Sequence, residues 1–193
     1  MIQKSLVLMK PDAVKRGIVG EILHRFERAG LKVVGAKMVH PTEDFAKEHY
    51  LTTEDAMLTI GKRTIADCEK FNIDVQKNMG TVDPLEIGKI VWKWNVTFLT
   101  SGPVLAFVLE GLHAVENVRA MVGNTVPLNA MPGTIRGDFS LDSAIGANIR
   151  GRTIYNLIHA SGTVDEAARE IDLWFKPNEI ISYKRVHEEL YSY

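Results

Sequence analysis

The chain is short of cysteine. Cys68 is the only one among 193 residues, so a disulfide framework is excluded and a reducing compartment is expected. It is also short of net charge. With 23 Lys and Arg against 24 Asp and Glu, the formal charge is −1, so no global basic field points to nucleic acid or to a membrane surface. No apolar run approaches the length of a bilayer span, and Val104 to Leu109 reads as a buried strand. Met1-Ile2-Gln3-Lys4 runs straight into a strand without the apolar core or cleavage site of a signal peptide. A cytoplasmic protein is expected.

Several chemistries are missing as well. There is no G-x-x-x-x-G-K-[ST] loop, kinase-type glycine loop, dinucleotide fingerprint or G-x-S-x-G elbow. The histidines at 24, 40, 49, 113, 159 and 187 show no paired metal spacing, so no protein-held metal is expected. There is no internal repeat and no low-complexity segment.

What is present is an alternation of short apolar runs and amphipathic stretches. Ser5 to Met9 is a strand stopped by Pro11. Ile18, Ile22, Leu23, Phe26 and Ala29 recur at helical spacing, and Gly30 is a suitable stop. Leu31 to Val39 is a second strand, after which Thr42 caps a helix to about Tyr50. Val104 to Leu109 is a third strand, followed by a helix from about Ala114 to Val122 that Gly123 ends. A loop punctuated by glycine and proline covers Asn124 to Gly137. Ile154 to His159 is the fourth strand. The last helix starts at Thr163, with Thr163 and Glu166 spaced as a capping box. Beyond Phe175, Tyr183 and Tyr191 would tether the tail. The order predicts a ferredoxin-like βαββαβ fold, an antiparallel sheet covered on one face by helices. It forms one domain over 1–193 with an insertion at about 51–92. That insertion carries amphipathic pieces such as Ile65 to Phe71 and turn signals at Asn78-Met79-Gly80 and Asp83-Pro84, so it is expected to be folded.

The chemistry centres on His159. It ends an apolar strand just before a helix that bears Glu170, so the acid can fix the imidazole's tautomer and leave the other nitrogen free. Three further motifs stand in order around it. They are Lys10-Pro11-Asp12-Ala13 at the end of the first strand, Thr100-Ser101-Gly102-Pro103 before the third, and Pro132-Gly133-Thr134-Ile135-Arg136-Gly137-Asp138-Phe139. With Asn156-Leu157-Ile158-His159, and over nearly the whole chain, they resemble the nucleoside diphosphate kinase family.

The resemblance implies a phosphotransferase that moves the γ-phosphate of a nucleoside triphosphate, typically ATP, to a nucleoside diphosphate by a ping-pong route. The transient carrier would be phosphorylated His159, with Glu170 holding its far nitrogen. Arg119, Arg136 and Thr125 match phosphate-binding groups, Lys10 and Asn156 match groups on the sugar hydroxyls, and Tyr50 matches a tyrosine beside the histidine. Lys10 would also approach the transferred phosphate. Mg²⁺ would arrive on the nucleotide phosphates, and a homo-oligomer, hexamer or tetramer, is implied. Three departures stand out. Ala160-Ser161-Gly162 replaces the family's Gly-Ser-Asp. The segment between Tyr50 and Ser101 is enlarged, leaving Trp92, Val91 or Leu58 to stack on the base. Leu141 to Arg152 is longer than usual and could move Asn156 relative to Arg136. A second reading is a nucleotide-binding regulatory module on the same fold that has lost transfer through these changes. The intact Lys10, Arg119, Arg136 and His159 favour the enzyme.

Overall fold

The structure is a computed structural model and describes residues 1–50 and 53–185. Its centre is a four-stranded antiparallel sheet in the order β2-β3-β1-β4. The strands are β1 (Ile2–Met9), β2 (Lys32–Val39), β3 (Val104–Leu112) and β4 (Ile158–Ala160). Helices α1 (Pro11–Lys15) and α2 (Val19–Arg28) follow β1, and α3 (Glu43–His49) follows β2. The enlarged segment holds α4 (Glu54–Lys70), α5 (Val75–Met79) and α6 (Pro84–Leu99). After β3 come α7 (Ala114–Val122), α8 (Ile135–Phe139) and α9 (Ala144–Ile149), and after β4 comes α10 (Val164–Trp174). Tyr191 lies outside the described residues, whereas the Tyr183 hydroxyl donates to the Val33 carbonyl at 2.8 Å.

Alternation along β1 divides the core in two. Val7 and Met9 pack with Ile22, Phe26, Val118 and Val122 on the face that α2 and α7 cover. Leu6 and Leu8 face the other way and pack with Ala46, Val96, Leu99, Trp174 and Phe175. The helices expected on one face are therefore joined on the second by α3, α6 and α10. The additional helices supply the cover required by a central strand that is apolar and buried on both faces from Leu6 to Met9.

The insertion folds as its turn signals indicate. Gly80 closes α5 in the left-handed region at φ 77°, and the Asp83 side chain accepts from Glu86 N, with Pro84 in the first turn of α6. Helices α4 and α6 cross closely at two glycines. A Cβ built on Gly61 would stand 1.7 Å from the Pro84 carbonyl oxygen, and one on Gly88 2.0 Å from that of Met57.

Two expectations need correction. The fourth strand begins at Ile158, not Ile154, because the backbone just before it is diverted from the ladder. Lys10 N donates to Leu157 O, Leu157 N donates to Asp12 Oδ2, and Leu157 sits at φ 69°. The Asn156 and Ile158 carbonyls both accept from the Arg136 guanidinium. At α10, Thr163 accepts from Glu166 N as expected, but the Glu166 carboxylate closes no capping box. It accepts instead from Gly162 N at 2.6 Å.

Candidate active site

A cavity of about 650 Å³ opens at the end of the sheet where β1 and β4 meet. Seven of the eight residues singled out from the sequence line it: Lys10, Tyr50, Arg119, Thr125, Arg136, Asn156 and His159. Glu170, the eighth, lies behind His159 and is 1% exposed.

His159 sits at the middle of β4, opposite Leu8. Its Nε2 is 2.8 Å from Glu170 Oε1. An ionised carboxylate can only accept, so the ring proton resides on Nε2 and the lone pair is on Nδ1. Nδ1 has no hydrogen-bond partner among the described residues. Glu170 Oε2 accepts from the Ser161 hydroxyl at 2.6 Å. Burial pushes the Glu170 carboxyl up, but the bonds from His159 and Ser161 and the nearby Arg169 charge leave it below the usual carboxylate range. The acid is therefore an anion at neutral pH.

Phosphate-sized positive charge is concentrated on the same wall. Lys10 Nζ donates to Asn156 Oδ1 at 2.8 Å, and its pKa falls to about 8, chiefly through burial and then through Arg136, with Asp12 opposing. Burial likewise raises the Asp12 carboxyl against the pull of Lys10. Arg136 is spread over three carbonyls, Asn156 at 3.1 Å, Gly123 at 3.0 Å and Ile158 at 2.6 Å. Its pKa falls to about 10 through burial and the neighbouring Arg119. Arg119 is exposed and has no ion pair among the described residues. With Arg63 and Arg152, five cations line the cavity against two carboxylates, Asp67 and Glu166, a field that fits a polyphosphate. Asn156 Nδ2 donates to the Thr125 carbonyl at 2.7 Å, which ties two pocket residues together. Burial raises the Tyr50 hydroxyl pKa.

The departures noted in the sequence can be placed. Ala160 has no positive φ, so glycine is not required there. Gly162 lets the Glu166 carboxylate fold back: a Cβ at Gly162 would stand 2.6 Å from Glu166 Oε2. The longer segment before Arg152 is pinned by Asp142, which pairs with Arg152 at 2.6 Å and accepts from Tyr155 N at 2.7 Å. Asn156 accordingly stays bonded to Arg136. From the insertion, Ile60, Arg63, Thr64, Asp67 and Val91 reach the cavity wall. Trp92 turns away, its indole N–H on the Tyr50 carbonyl at 2.9 Å, and Leu58 does not line the cavity.

Three participants went unassigned in the sequence reading: Asp12, Ser161 and His49. Asp12 and Ser161 lie inside motifs already quoted, and His49 adjoins Tyr50. Its ring stands 4.6 Å, centroid to centroid, from that of His159.

Comparison with known proteins accords with this geometry. The family model described as nucleoside diphosphate kinase matches residues 3–59 and 75–180, leaving out between them α4 from Ile60 onward and the turn after it. A nucleoside diphosphate kinase from Pyrobaculum aerophilum is 44% identical over 93% of this chain and 98% of its own. One from Borreliella burgdorferi is 40% identical over 97% and 96%. The solved structure of an NDP kinase from P. aerophilum superposes with a TM-score of 0.91 over 94% of this chain and all of that one. A transition-state mimic of the B. burgdorferi enzyme with bound vanadate and ADP superposes with a TM-score of 0.77 at 42% identity, over 97% of this chain and 95% of that one. By sequence and fold, this chain belongs to the nucleoside diphosphate kinase family.

Proposed function

We propose that the chain moves the γ-phosphate of a nucleoside triphosphate, typically ATP, to a nucleoside diphosphate through a phosphoryl group carried on Nδ1 of His159. The observation that carries this reading is the pairing of Nε2 with Glu170, which leaves Nδ1 free on the wall of a cation-lined cavity. In the first half-reaction the Nδ1 lone pair attacks the γ-phosphorus. A P–N bond forms, the bond to the β,γ-bridging oxygen breaks, and the diphosphate leaves with the electron pair. The phosphorylated ring retains its Nε2 proton and becomes cationic, and the Glu170 anion stabilises that charge. The second half-reaction is the reverse, with a different diphosphate as acceptor. Because donor and acceptor present the same groups, one cavity serves both in turn.

The remaining work is positioning and charge. Arg119 and Arg136 hold phosphate oxygens, with the Thr125 hydroxyl as a further donor. Lys10 and Asn156, already bonded to each other, hold the sugar hydroxyls, and Lys10 also faces the transferred group. Tyr50 stands beside the histidine. The two carboxylates on the cavity wall are Asp67 and Glu166, and Glu166 is engaged by Gly162 N. That donor set suits Mg²⁺ carried by the phosphates themselves rather than a protein cage, and the ion's part is to neutralise charge on the phosphate oxygens. The inserted helices α4 and α6 belong to the same single domain and wall the nucleobase end, with Val91 the residue best placed among the stacking candidates. We further place the protein in the cytoplasm as a homo-oligomer, hexamer or tetramer. No helix among the described residues is long and apolar enough to cross a membrane.

Incubation with γ-labelled ATP followed by a chase with unlabelled nucleoside diphosphate tests the reading. Acid-labile label on the protein that transfers to the chase is expected. Stable binding of ATP with no labelling would favour the regulatory alternative.

A further inference from the structure

His49 ends α3 and lies behind the cavity rather than on its wall; it is 3% exposed. Its ring meets three groups of the transfer machinery. It stands on edge against His159, with ring planes at 85°. Its Nδ1 accepts the indole N–H of Trp174 at 3.3 Å. The same nitrogen is 3.7 Å from Glu170 Oε1, beyond hydrogen-bonding reach. Trp174 and Glu170 are one turn apart on α10, so the residue that holds the indole also holds the stretch of helix carrying the carboxylate.

These contacts answer a mechanical need. The bond to Glu170 fixes only the Nε2 end of the nucleophile. The torsion that sets an imidazole's plane is soft and broad, so that bond leaves the ring free to tilt and swing Nδ1 off line. A flat group packed edge-on removes that freedom. An ordinary filler would also serve, were it not for Trp174, whose buried N–H needs an acceptor. Histidine supplies both the flat edge and the acceptor. The cost is visible at the far side of the ring, where His49 Nε2 is buried with no hydrogen-bond partner. Burial, reinforced by the positive charges of Lys10 and Arg169, holds the His49 pKa well below its usual value. The ring therefore stays neutral and leaves the Glu170 charge to His159.

We propose that His49 is a positioning residue for phosphoryl transfer: its ring edge fixes the plane of His159, and its Nδ1, through Trp174, fixes the helix that presents Glu170. The proposal rests on His159 being the carrier. Its first readout needs no nucleotide, so its failure can be told apart from failure of that reading. ¹⁵N NMR of the resting His159 imidazole reports the tautomer directly. The wild type should show one tautomer with the proton on Nε2. His49→Ala should show mixed or exchange-broadened tautomers. Its kcat should fall roughly ten- to hundredfold, the size of effect that small misplacements produce, with KM unchanged because His49 does not line the cavity. His49→Phe restores the flat edge but leaves the Trp174 N–H without its acceptor; it should recover the single tautomer with a kcat between those of His49→Ala and wild type, within about tenfold of the latter. A single tautomer with wild-type kcat in His49→Ala would overturn the proposal, as would a His49→Phe protein no better than His49→Ala. If His49→Ala fails to fold, His49→Phe decides alone, and mixed tautomers or a larger loss of kcat would overturn it.

Discussion

Arg119 and Arg136 both line the cavity, yet their surroundings differ, and a paired substitution separates them. Arg136 donates to the carbonyls of Asn156, Gly123 and Ile158, and its side chain holds together the loop before β4 and the end of α7. Arg119 is exposed on α7 and has no partner among the described residues. Arg136→Lys keeps a positive charge but loses the fork, and one ammonium on a flexible stem cannot reach three divergent carbonyls. If it serves one, two are left. Water relieves the Gly123 carbonyl at the cavity edge, so one buried carbonyl stays unpaired at a cost of about 1–3 kcal/mol. For a protein of this size that lowers Tm by roughly 2–12 °C. Arg119→Ala should leave Tm within about 2 °C of wild type, as surface substitutions do. Its transfer rate should nevertheless fall by about 10²–10³, the usual effect of removing one preorganised charge. Calorimetry with steady-state kinetics on both proteins is the assay. Equal Tm values for the two variants would refute the assignment of Arg136 as a structural clamp. An undiminished rate in Arg119→Ala would refute the phosphate wall.

Other consequences follow from particular groups. Lys10 loses its proton near pH 8 in the free protein, so its charge is present below that pH and lost above it; kcat/KM should show an alkaline limb near pH 8 that Lys10→Gln lacks, and identical profiles would remove Lys10 from the site. Glu170→Gln can still accept from His159 but withholds the negative charge, so transfer should continue about ten- to hundredfold more slowly; complete loss would show that the charge does more than orient. Because the folded-state pKa of Glu170 is lowered, its stabilisation is present above the ordinary carboxylate range and lost as pH falls through the lowered value; urea midpoints of wild type should therefore fall more steeply than those of Glu170→Gln below about pH 4.3. Gly61→Ala should force α4 from α6 and cost about 1–3 kcal/mol; an unchanged Tm would mean the crossing is looser than its geometry indicates.

Much of the fold was legible because local signals and tertiary demands agree. The α7 bounds coincide with their expected residues because core positions at helical spacing end at Gly123, which turns the chain out of the helix at positive φ. The site was legible for a different reason, since its residues sit in short motifs whose order survives in the chain. The failures cluster where backbone groups serve the site instead of the ladder. Ile154 to Leu157 has the composition of a strand, but Lys10, Asp12 and Arg136 claim its hydrogen bonds. Glu166 has the spacing of a capping box, but the absence of a side chain at Gly162 offers its carboxylate a nearer donor. His49 carried no motif, and only three-dimensional packing puts it against His159. The cover on the second face of the sheet depends on where the inserted helices dock, which no single-segment periodicity encodes.

The central claim is that Glu170 occupies Nε2 of His159 and so directs phosphorylation to Nδ1. The direct test is to trap the phosphoenzyme with ATP and identify the phosphohistidine isomer and its position by peptide mapping and ³¹P NMR. The account predicts a single Nδ1-phosphohistidine at residue 159. An Nε2-phosphohistidine there, or phosphate on another residue, would contradict it.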